Sequence, residues 1–556
     1  MKQHKRMPVG VDDFKKLREG YYFVDKTRFI QELIDGHSDV TLITRPRRFG
    51  KTLTMSMLYY FFTNENAEEN RKLFDGCAIA EAGEAYMEEQ GSRPVIFLTL
   101  KDVKADTWDS LILNLKSVLQ TLYLEFRGLL ACEALDEAER NFFSRIKDME
   151  AAPEQMQFAI SNLLRYLCLC YGRKPILLID EYDAPIQSAW ESGYYDKAIG
   201  FFRNFLSAAL KSNPALDFAV LTGVLRISKE SIFSALNNLK VSSVVRGDYA
   251  DIMGFTGQEV GKMAAELGYA DKTDEIKEWY DGYNLSGQEI YNPWSVINYF
   301  DEGGKPGTYW VNTSGNIILK SMLERVDEER QSDLWGLVQG KTVRSMLNEG
   351  LLYDDIYENK DALYTMLLTT GYLKCVGQQV EYGQEWNELS IPNKEIQSLF
   401  HQEIIRNLSG ATGESTVFRM LDAMVRGNKE RFANILQKIL RENVSIHDAA
   451  YPETFYHGMM LGLSLLMEGR YEIESNRESG YGRFDIALIP RDNDKAGIIM
   501  EFKKARSEDA LDARAEEALK QIEAKEYMTA LDERGIKEVW KYGIAFHGKK
   551  VSLVRG

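Results

Sequence analysis

The chain has 556 residues, 44% hydrophobic and 27% charged, with a formal net charge of −16; that length exceeds one ordinary core and predicts about three domains. No run approaches the roughly 18 apolar residues of a membrane span, and the basic residues 1–10 are not followed by the apolar stretch of a secretory signal, so a cytoplasmic protein without membrane association is expected. Its five cysteines (Cys77, Cys132, Cys168, Cys170, Cys375) lack metal-type spacing, and their odd number argues against a disulfide framework.

In the first ~250 residues apolar strands alternate with amphipathic helices, an α/β pattern. Residues 40–43 read as a strand and residues 51–62 as the helix after it. Residues 94–100 form a second strand, 108–126 and 154–171 helices, and 176–179 and 218–221 two buried strands. Such near-continuous apolar runs suit a parallel sheet with helices on both faces.

Between the first strand and its helix lies Arg45-Pro46-Arg47-Arg48-Phe49-Gly50-Lys51-Thr52. The phosphate-loop pattern GxxxxGK[ST] is met at Gly50, Lys51 and Thr52, with Arg45 in place of the first glycine. Backbone amides of Arg48, Phe49, Gly50, Lys51, Thr52 and Leu53 are expected to cradle the phosphates of ATP. Lys51 would reach the β/γ-phosphates, and Thr52 would bind Mg²⁺. Asp180 and Glu181 end the strand 176–179; Asp180 is placed to hold Mg²⁺ through water and Glu181 to polarise the attacking water. Thr222 ends the next strand and reads as a γ-phosphate sensor or a cap. Arg226 reads as an arginine finger, in cis or from a neighbouring copy, or as a surface ion pair.

Residues 257–426 turn mainly helical, with a helix, two strand-like runs around Gly383 and a second helix at 394–405. This order is met equally by a winged helix and by a helical lid carrying one hairpin. The last ~105 residues run helix (453–467), strand (470–474), strand (483–489), strand (497–502), helix (511–528), strand (539–546), with a turn at 475–482. Residues 451–556 carry 17 Lys/Arg against 19 Asp/Glu, a net of −2, so the first 450 residues hold −14. A nucleic-acid partner is permitted by that distribution without being demanded.

In this last segment Glu501 and Lys503 project to one face of a strand, and Asp485 lies on the run before it. Two carboxylates on neighbouring strands can hold Mg²⁺ or Mn²⁺, and the ammonium can position a water or neutralise charge on a phosphate. The competing reading of Glu-x-Lys is a surface ion pair without metal.

The phrases Phe23-Val24-Asp25-Lys26-Thr27, Arg45 to Thr52, Leu178-Ile179-Asp180-Glu181-Tyr182-Asp183 and Leu221-Thr222-Gly223-Val224 closely resemble the prokaryotic AAA-ATPase-like family. Tyr291-Asn292-Pro293-Trp294-Ser295 and Thr313-Ser314-Gly315-Asn316 are similar to its later motifs. The resemblance runs from about Pro8 to the end. It implies that the arginine-rich loop is the usual form and that the C-terminal segment is an αβββαβ, restriction-endonuclease-like domain of the PD-(D/E)xK nuclease superfamily. Asp485 then matches the motif aspartate, with Phe484 in place of the proline, and Glu501-Phe502-Lys503 matches the rest. Glu453 and His457, i and i+4 on the first helix, could add a ligand, although a packing histidine is an equal reading of His457. Gln521 and Tyr527 resemble the supporting glutamine and tyrosine of the recombination-nuclease branch. Asn476, Arg477 and Arg483 at the hairpin could hold a nucleic-acid backbone or pair within the hairpin.

The expected division is 1–256 as ATPase, 257–426 as lid or winged helix, and 427–556 as nuclease. The expected function is an ATP-hydrolysing protein coupled to a metal-dependent nuclease, acting on DNA in preference to RNA, with homo-oligomers allowed through the ATPase domain. The alternative is an ATP-driven switch whose last domain only binds nucleic acid or a protein.

Overall fold

The computed structural model describes residues 6–226, 239–245, 248–285, 287–310, 359–409, 414–443, 453–467, 469–475, 478–479, 482–492, 494–524 and 534–556, with shorter pieces at 333–334, 336–338, 340–348, 350 and 531. The chain divides into two compact units, Met1–Thr313 with Arg344–Glu395, and Ser314–Val343 with Ile396–Gly556.

The first unit is built on a parallel sheet of β1 (Val40–Thr44), β2 (Val95–Thr99), β3 (Ile176–Asp180), β4 (Ala219–Gly223) and β5 (Leu239–Ser242), in the order β2-β3-β4-β1-β5. Every residue of β1, β3 and β4 is buried. Ile176 and Leu178 join the core under helix α1 (Lys51–Phe62), together with Met55, Leu58 and Phe61. Their neighbours Leu177 and Ile179, pointing to the opposite face, are equally buried, so both faces are covered. Each such side chain contributes about 1.5–3 kcal/mol by leaving water. Because β4 lies between β1 and β3, the ends of these three strands bring the 45–52 loop, Asp180 and Thr222 to one edge of the sheet.

Several details depart from the sequence reading. The helix expected over 154–171 is interrupted at Gln157 and Phe158, giving Pro153–Met156 and Ala159–Tyr171. The edge strand β5 and a three-stranded sheet of Phe255–Thr256, Tyr283–Leu285 and Gln288–Tyr291 were not anticipated, the last two strands falling in the stretch expected to be mainly helical; these strands are too short to show a period of two. Helix, hairpin and helix do follow one another at Lys360–Thr370, Lys374–Glu381, Gln384–Ser390 and Lys394–Ser409. Cys132 and Cys170 form a disulfide, leaving Cys77, Cys168 and Cys375 as thiols. An odd count excludes pairing all five cysteines but not a single bridge, and here the chain after Leu129 folds back onto the helix Ala159–Tyr171.

The second unit carries a mixed sheet of β6 (Tyr471–Ser475), β7 (Ile486–Pro490), β8 (Gly497–Lys504), β9 (Val539–His547) and β10 (Lys550–Arg555), in that order. Only β8 and β9 run parallel, and helix α3 (Leu511–Ala524) is the crossover between them, as a parallel pair requires. Helix α2 (Glu453–Leu465) precedes the sheet. Residue 543 must be glycine here: a Cβ would lie 2.2 Å from the Ala515 carbonyl oxygen on α3. The hairpin to β10 was not anticipated. Among the described residues, no helix is long and apolar enough to cross a membrane.

Candidate nucleotide and metal sites

The phosphate loop turns on two left-handed residues, Arg48 (φ 68°) and Gly50 (φ 85°), before α1 begins at Lys51. Glycine is favoured at the second of these, where an L side chain is strained. Lys51 is 4% exposed, and its ammonium donates to the loop's own carbonyls, Arg45 O at 3.0 Å and Pro46 O at 2.9 Å. Burial lowers its pKa, against the pull of Glu181, Asp183 and Asp180. A phosphate at the loop offers this cation a better partner than two carbonyls.

Thr52 Oγ1 donates to Asp180 Oδ2 at 2.7 Å, and the buried Thr222 hydroxyl donates to Asp180 Oδ1. Thr222 is thus a partner of the acidic site rather than a helix cap. Burial raises the Asp180 pKa, and the two hydroxyls oppose the shift. Thr52 and Asp180 present hard oxygen donors side by side, the set that suits the Mg²⁺ accompanying a nucleotide. Glu181, the next residue, sits at φ 52°, a left-handed conformation that persists only when its surroundings impose it. Tyr182 and Asp183, which the sequence reading gave no role, impose it. Tyr182 N donates to Thr222 O at 3.0 Å and its hydroxyl to Leu225 O at 2.6 Å. Asp183 Oδ2 accepts from the backbone N–H groups of Val224 and Leu225 at 2.9 Å each. The turn bearing Glu181 is therefore bolted to the end of β4. Arg226, half-buried, follows this bolt by one residue.

Arg45 does not act as a phosphate ligand. Its guanidinium is completely buried and donates to Thr44 O (2.9 Å), Ser242 O (3.2 Å), Ser242 Oγ (2.9 Å) and Tyr249 O (3.0 Å). Burial lowers its pKa to about 10. The position is not left-handed, so this loop has no need of glycine there. It uses arginine to tie β1 to the chain after β5. A buried acceptor deprived of its donor costs about 1–3 kcal/mol. Arg45→Gly, which restores the generic motif, is therefore expected to lower unfolding stability by roughly 3 kcal/mol or more, read as a fall in the urea midpoint.

The arginine and phenylalanine of the loop are held by the chain beyond residue 257. Arg48 lies 4.3 Å over the Trp294 ring, Phe49 meets Tyr283 edge-on at 5.0 Å, and Trp310 Nε1 donates to Arg47 O at 3.0 Å. Behind these contacts the buried Glu395 accepts from Ser295 Oγ and Trp310 N, each at 2.7 Å. Burial pushes its pKa from 4.5 to about 7. Between those values the folded state holds a proton that the unfolded chain has released. The stability due to this proton is full below pH 4.5 and is lost as pH rises through 7. Glu395→Gln is expected to flatten this part of the pH profile and to be more stable than wild type at pH values above about 8, measured by denaturant unfolding on either side of neutrality.

In the second unit Asp485 sits in a bend immediately before β7, not within a strand as expected; Gly482–Arg483 pairs instead with Glu478–Ser479 in a small hairpin. The antiparallel register that pairs Ile486 with Met500 brings Asp485 alongside Glu501. Asp485 Oδ2 accepts from Phe502 N at 2.7 Å. Glu501 is 2% exposed, with Lys503 Nζ 3.3 Å from its Oε1 and Gln521, on α3, donating to the same oxygen. Its Oε2 is buried with no hydrogen-bond partner among the described residues. Burial and then Asp485 push its pKa well above the carboxylate range, while Lys503 pulls it down. His457 Nε2 donates to the Asp485 carbonyl at 3.0 Å, and Ser475 Oγ lies 3.1 Å from the same nitrogen. The histidine thus steadies the Asp485 bend. Glu453 begins α2, one turn ahead of it, and Arg483 lies in the small hairpin; Asn476, Arg477 and Tyr527 fall outside the described residues.

Among the described residues, no three His, Cys, Asp or Glu side chains gather as a ligand cluster. The donor set here is the pair Asp485 and Glu501. Mg²⁺ is commonly held by one or two carboxylates, with water and substrate phosphate completing its shell. A buried carboxylate oxygen without a donor, beside a second carboxylate, fits a cation.

The strand order and the Lys51, Thr52, Asp180 set define a P-loop nucleotide-binding class, and the mixed sheet carrying Asp485, Glu501 and Lys503 defines a restriction-endonuclease-like one. Comparison agrees with both. Residues 8–233 match the family described as predicted AAA-ATPase, and residues 451–556 match the PD-(D/E)XK nuclease superfamily. The chain thus joins an AAA-ATPase-like segment to a C-terminal segment similar to the PD-(D/E)XK nuclease superfamily. It is similar over its whole length to an uncharacterized protein in the vnfD 5′ region of Azotobacter chroococcum mcd 1, 27% identical over 570 residues, covering 99% of this chain and 98% of that protein.

Proposed function

We propose that the chain hydrolyses ATP at the 45–52 loop and cleaves phosphodiester bonds, in DNA rather than RNA, at the Asp485–Glu501–Lys503 site, with the nucleotide state governing cleavage. The observation that carries the nuclease reading is the buried Glu501 Oε2 without a donor beside Asp485. Asp485 and Glu501 would hold a divalent cation, which when bound would supply positive charge at the scissile phosphate and lower the pKa of a water. Lys503 orients that water or the phosphate, and Gln521 fixes the Glu501 carboxylate. In the first unit Lys51 exchanges its two loop carbonyls for the β/γ-phosphates, Thr52 and Asp180 hold Mg²⁺, and Glu181 orients the water. Arg226 acts as the arginine finger, in cis or from a second copy, and we place the protein in the cytoplasm, where ATP and DNA are both at hand.

Binding separates the two halves of this reading. Wild-type protein is expected to take up Mn²⁺ in the absence of nucleotide, followed by calorimetry, and Glu501→Gln to lose that uptake while still releasing phosphate from ATP. Unchanged Mn²⁺ uptake in Glu501→Gln contradicts the metal site; no phosphate release by wild type contradicts the ATPase.

A further inference from the structure

β2 and β3 are parallel neighbours, so the chain between them has to cross over. It does so through the helices Trp108–Glu125, Glu137–Lys147 and Ala159–Tyr171. The Cys132–Cys170 bridge lies inside this crossover, joining the chain just after the turn Arg127–Ala131 to the end of the helix Ala159–Tyr171. That helix leads by a short turn into β3, which ends at Asp180. The bridge stands near the surface: Cys132 and Cys170 are each half-buried, and Leu169 and Tyr171, on either side of Cys170, are 48% and 49% exposed. The other three cysteines remain thiols. One bridge beside three thiols suits a reducing compartment, where a disulfide is usually transient, catalytic or redox-sensing.

The crossover has other ties that keep it folded when the bridge is open. The Tyr123 hydroxyl donates to Ala159 O at 2.7 Å, and Gln120 Nε2 donates to Lys147 O at 2.8 Å. The Arg140 guanidinium donates to Leu130 O at 3.3 Å and to Cys132 O at 2.9 Å, and Arg165 pairs with Glu139. None of these bonds uses a sulfur. The same segment can therefore exist with the bridge closed or open. Because the bridge spans a sequence separation of 38, closing it removes chain entropy from opened forms of the segment and makes local opening rarer.

We propose that Cys132 and Cys170 are a redox-active pair whose state sets how readily the β2–β3 crossover opens and, through β3, the rate of ATP turnover; the proposal takes the cytoplasmic placement and the ATPase reading as given. The co-substrates are a low-molecular-weight disulfide, RSSR, and its thiol, RSH. In closure one protein thiolate attacks a sulfur of RSSR, forming a mixed disulfide and releasing RS⁻. The second protein thiolate then attacks the protein sulfur of that mixed disulfide, forming the Cys132–Cys170 bond and releasing the second RS⁻. The protons of the two cysteines end on the two RSH, and RSSR takes up the two electrons that the protein loses. Opening is the reverse, with RSH as the reductant.

The test equilibrates the full-length wild-type chain in glutathione mixtures ranging from mainly oxidised to mainly reduced. Alkylation with peptide mapping is expected to find Cys132 and Cys170 bridged to each other in oxidised mixtures and both free in reduced ones, reversibly. Amide hydrogen exchange across residues 127–171 is expected to be roughly tenfold or more faster in the reduced form, with β1 and β4 unchanged, and ATP hydrolysis to be slower. Cys132→Ser should show the open-form exchange in every mixture, whereas Cys168→Ser should respond as wild type does; the wild-type arms stand even if Cys132→Ser fails to fold. A bridge that persists in reduced glutathione, or cysteines that never bridge, overturns the switch. So does a bridge that opens and closes with no change in exchange, or with no change in a measurable ATP turnover. Hydrolysis absent in both states overturns the ATPase reading instead, and the exchange measurement then decides the switch by itself.

Discussion

Glu181→Gln is expected to leave ATP affinity close to wild type and to slow hydrolysis by roughly 10²–10⁴-fold, the range for removing a positioned general base. The substitution keeps the size of the side chain and the backbone bolts of Tyr182 and Asp183, so the turn should hold its shape. It leaves Lys51, Thr52 and Asp180 untouched, and these are the residues assigned to binding. Equilibrium binding of a fluorescent ATP analogue together with steady-state phosphate release separates the two effects. A variant that hydrolyses ATP at the wild-type rate would show that the left-handed Glu181 has some other purpose.

The second large effect is expected at Lys503 and Glu501. Lys503→Ala should lower cleavage by roughly 10²–10³-fold, as for loss of one charge-stabilising donor at a reacting centre. It should leave Mn²⁺ uptake in place, because the two carboxylates remain. Glu501→Gln should lose both, since it removes one of the two carboxylate charges proposed to hold the cation. Gln521 is the control for positioning. It donates to Glu501 and has no assigned part in holding the metal or the phosphate, so Gln521→Ala should raise the metal concentration needed for half-maximal cleavage more than it lowers the rate at saturating metal.

Much of the architecture was legible because it depends on local signals. Buried parallel strands announce themselves as short apolar runs, and Gly50-Lys51-Thr52 and Asp180-Glu181 mark the strand ends that face one another. The C-terminal order of helix and strands was also readable, and Gln521 was found through a family resemblance. The features that escaped depend on distance in sequence or on single bends. Nothing local distinguishes the buried Arg45, whose partners lie some 200 residues away, from a phosphate-binding arginine. Asp485 was read into a strand because Phe484 and Ile486 continue its alternation, although the chain bends between them. Asp183 lacked a role because its partners, the amides of Val224 and Leu225, become neighbours only once β4 is laid beside β3. The Cys132–Cys170 bridge is the same kind of case, since parity counts cysteines and does not place them.

The central claim is that nucleotide governs a metal-dependent nuclease within one chain. It is tested most directly by cleavage of plasmid and single-stranded DNA in Mg²⁺ or Mn²⁺, with and without ATP, by wild type, Lys51→Ala and Lys503→Ala. The account predicts metal-dependent cleavage by wild type that changes with ATP, a Lys51→Ala variant that cleaves without responding to ATP, and an inert Lys503→Ala variant. Wild-type protein that cleaves neither substrate under any nucleotide and metal condition, or Lys503→Ala cleaving as wild type does, would contradict it.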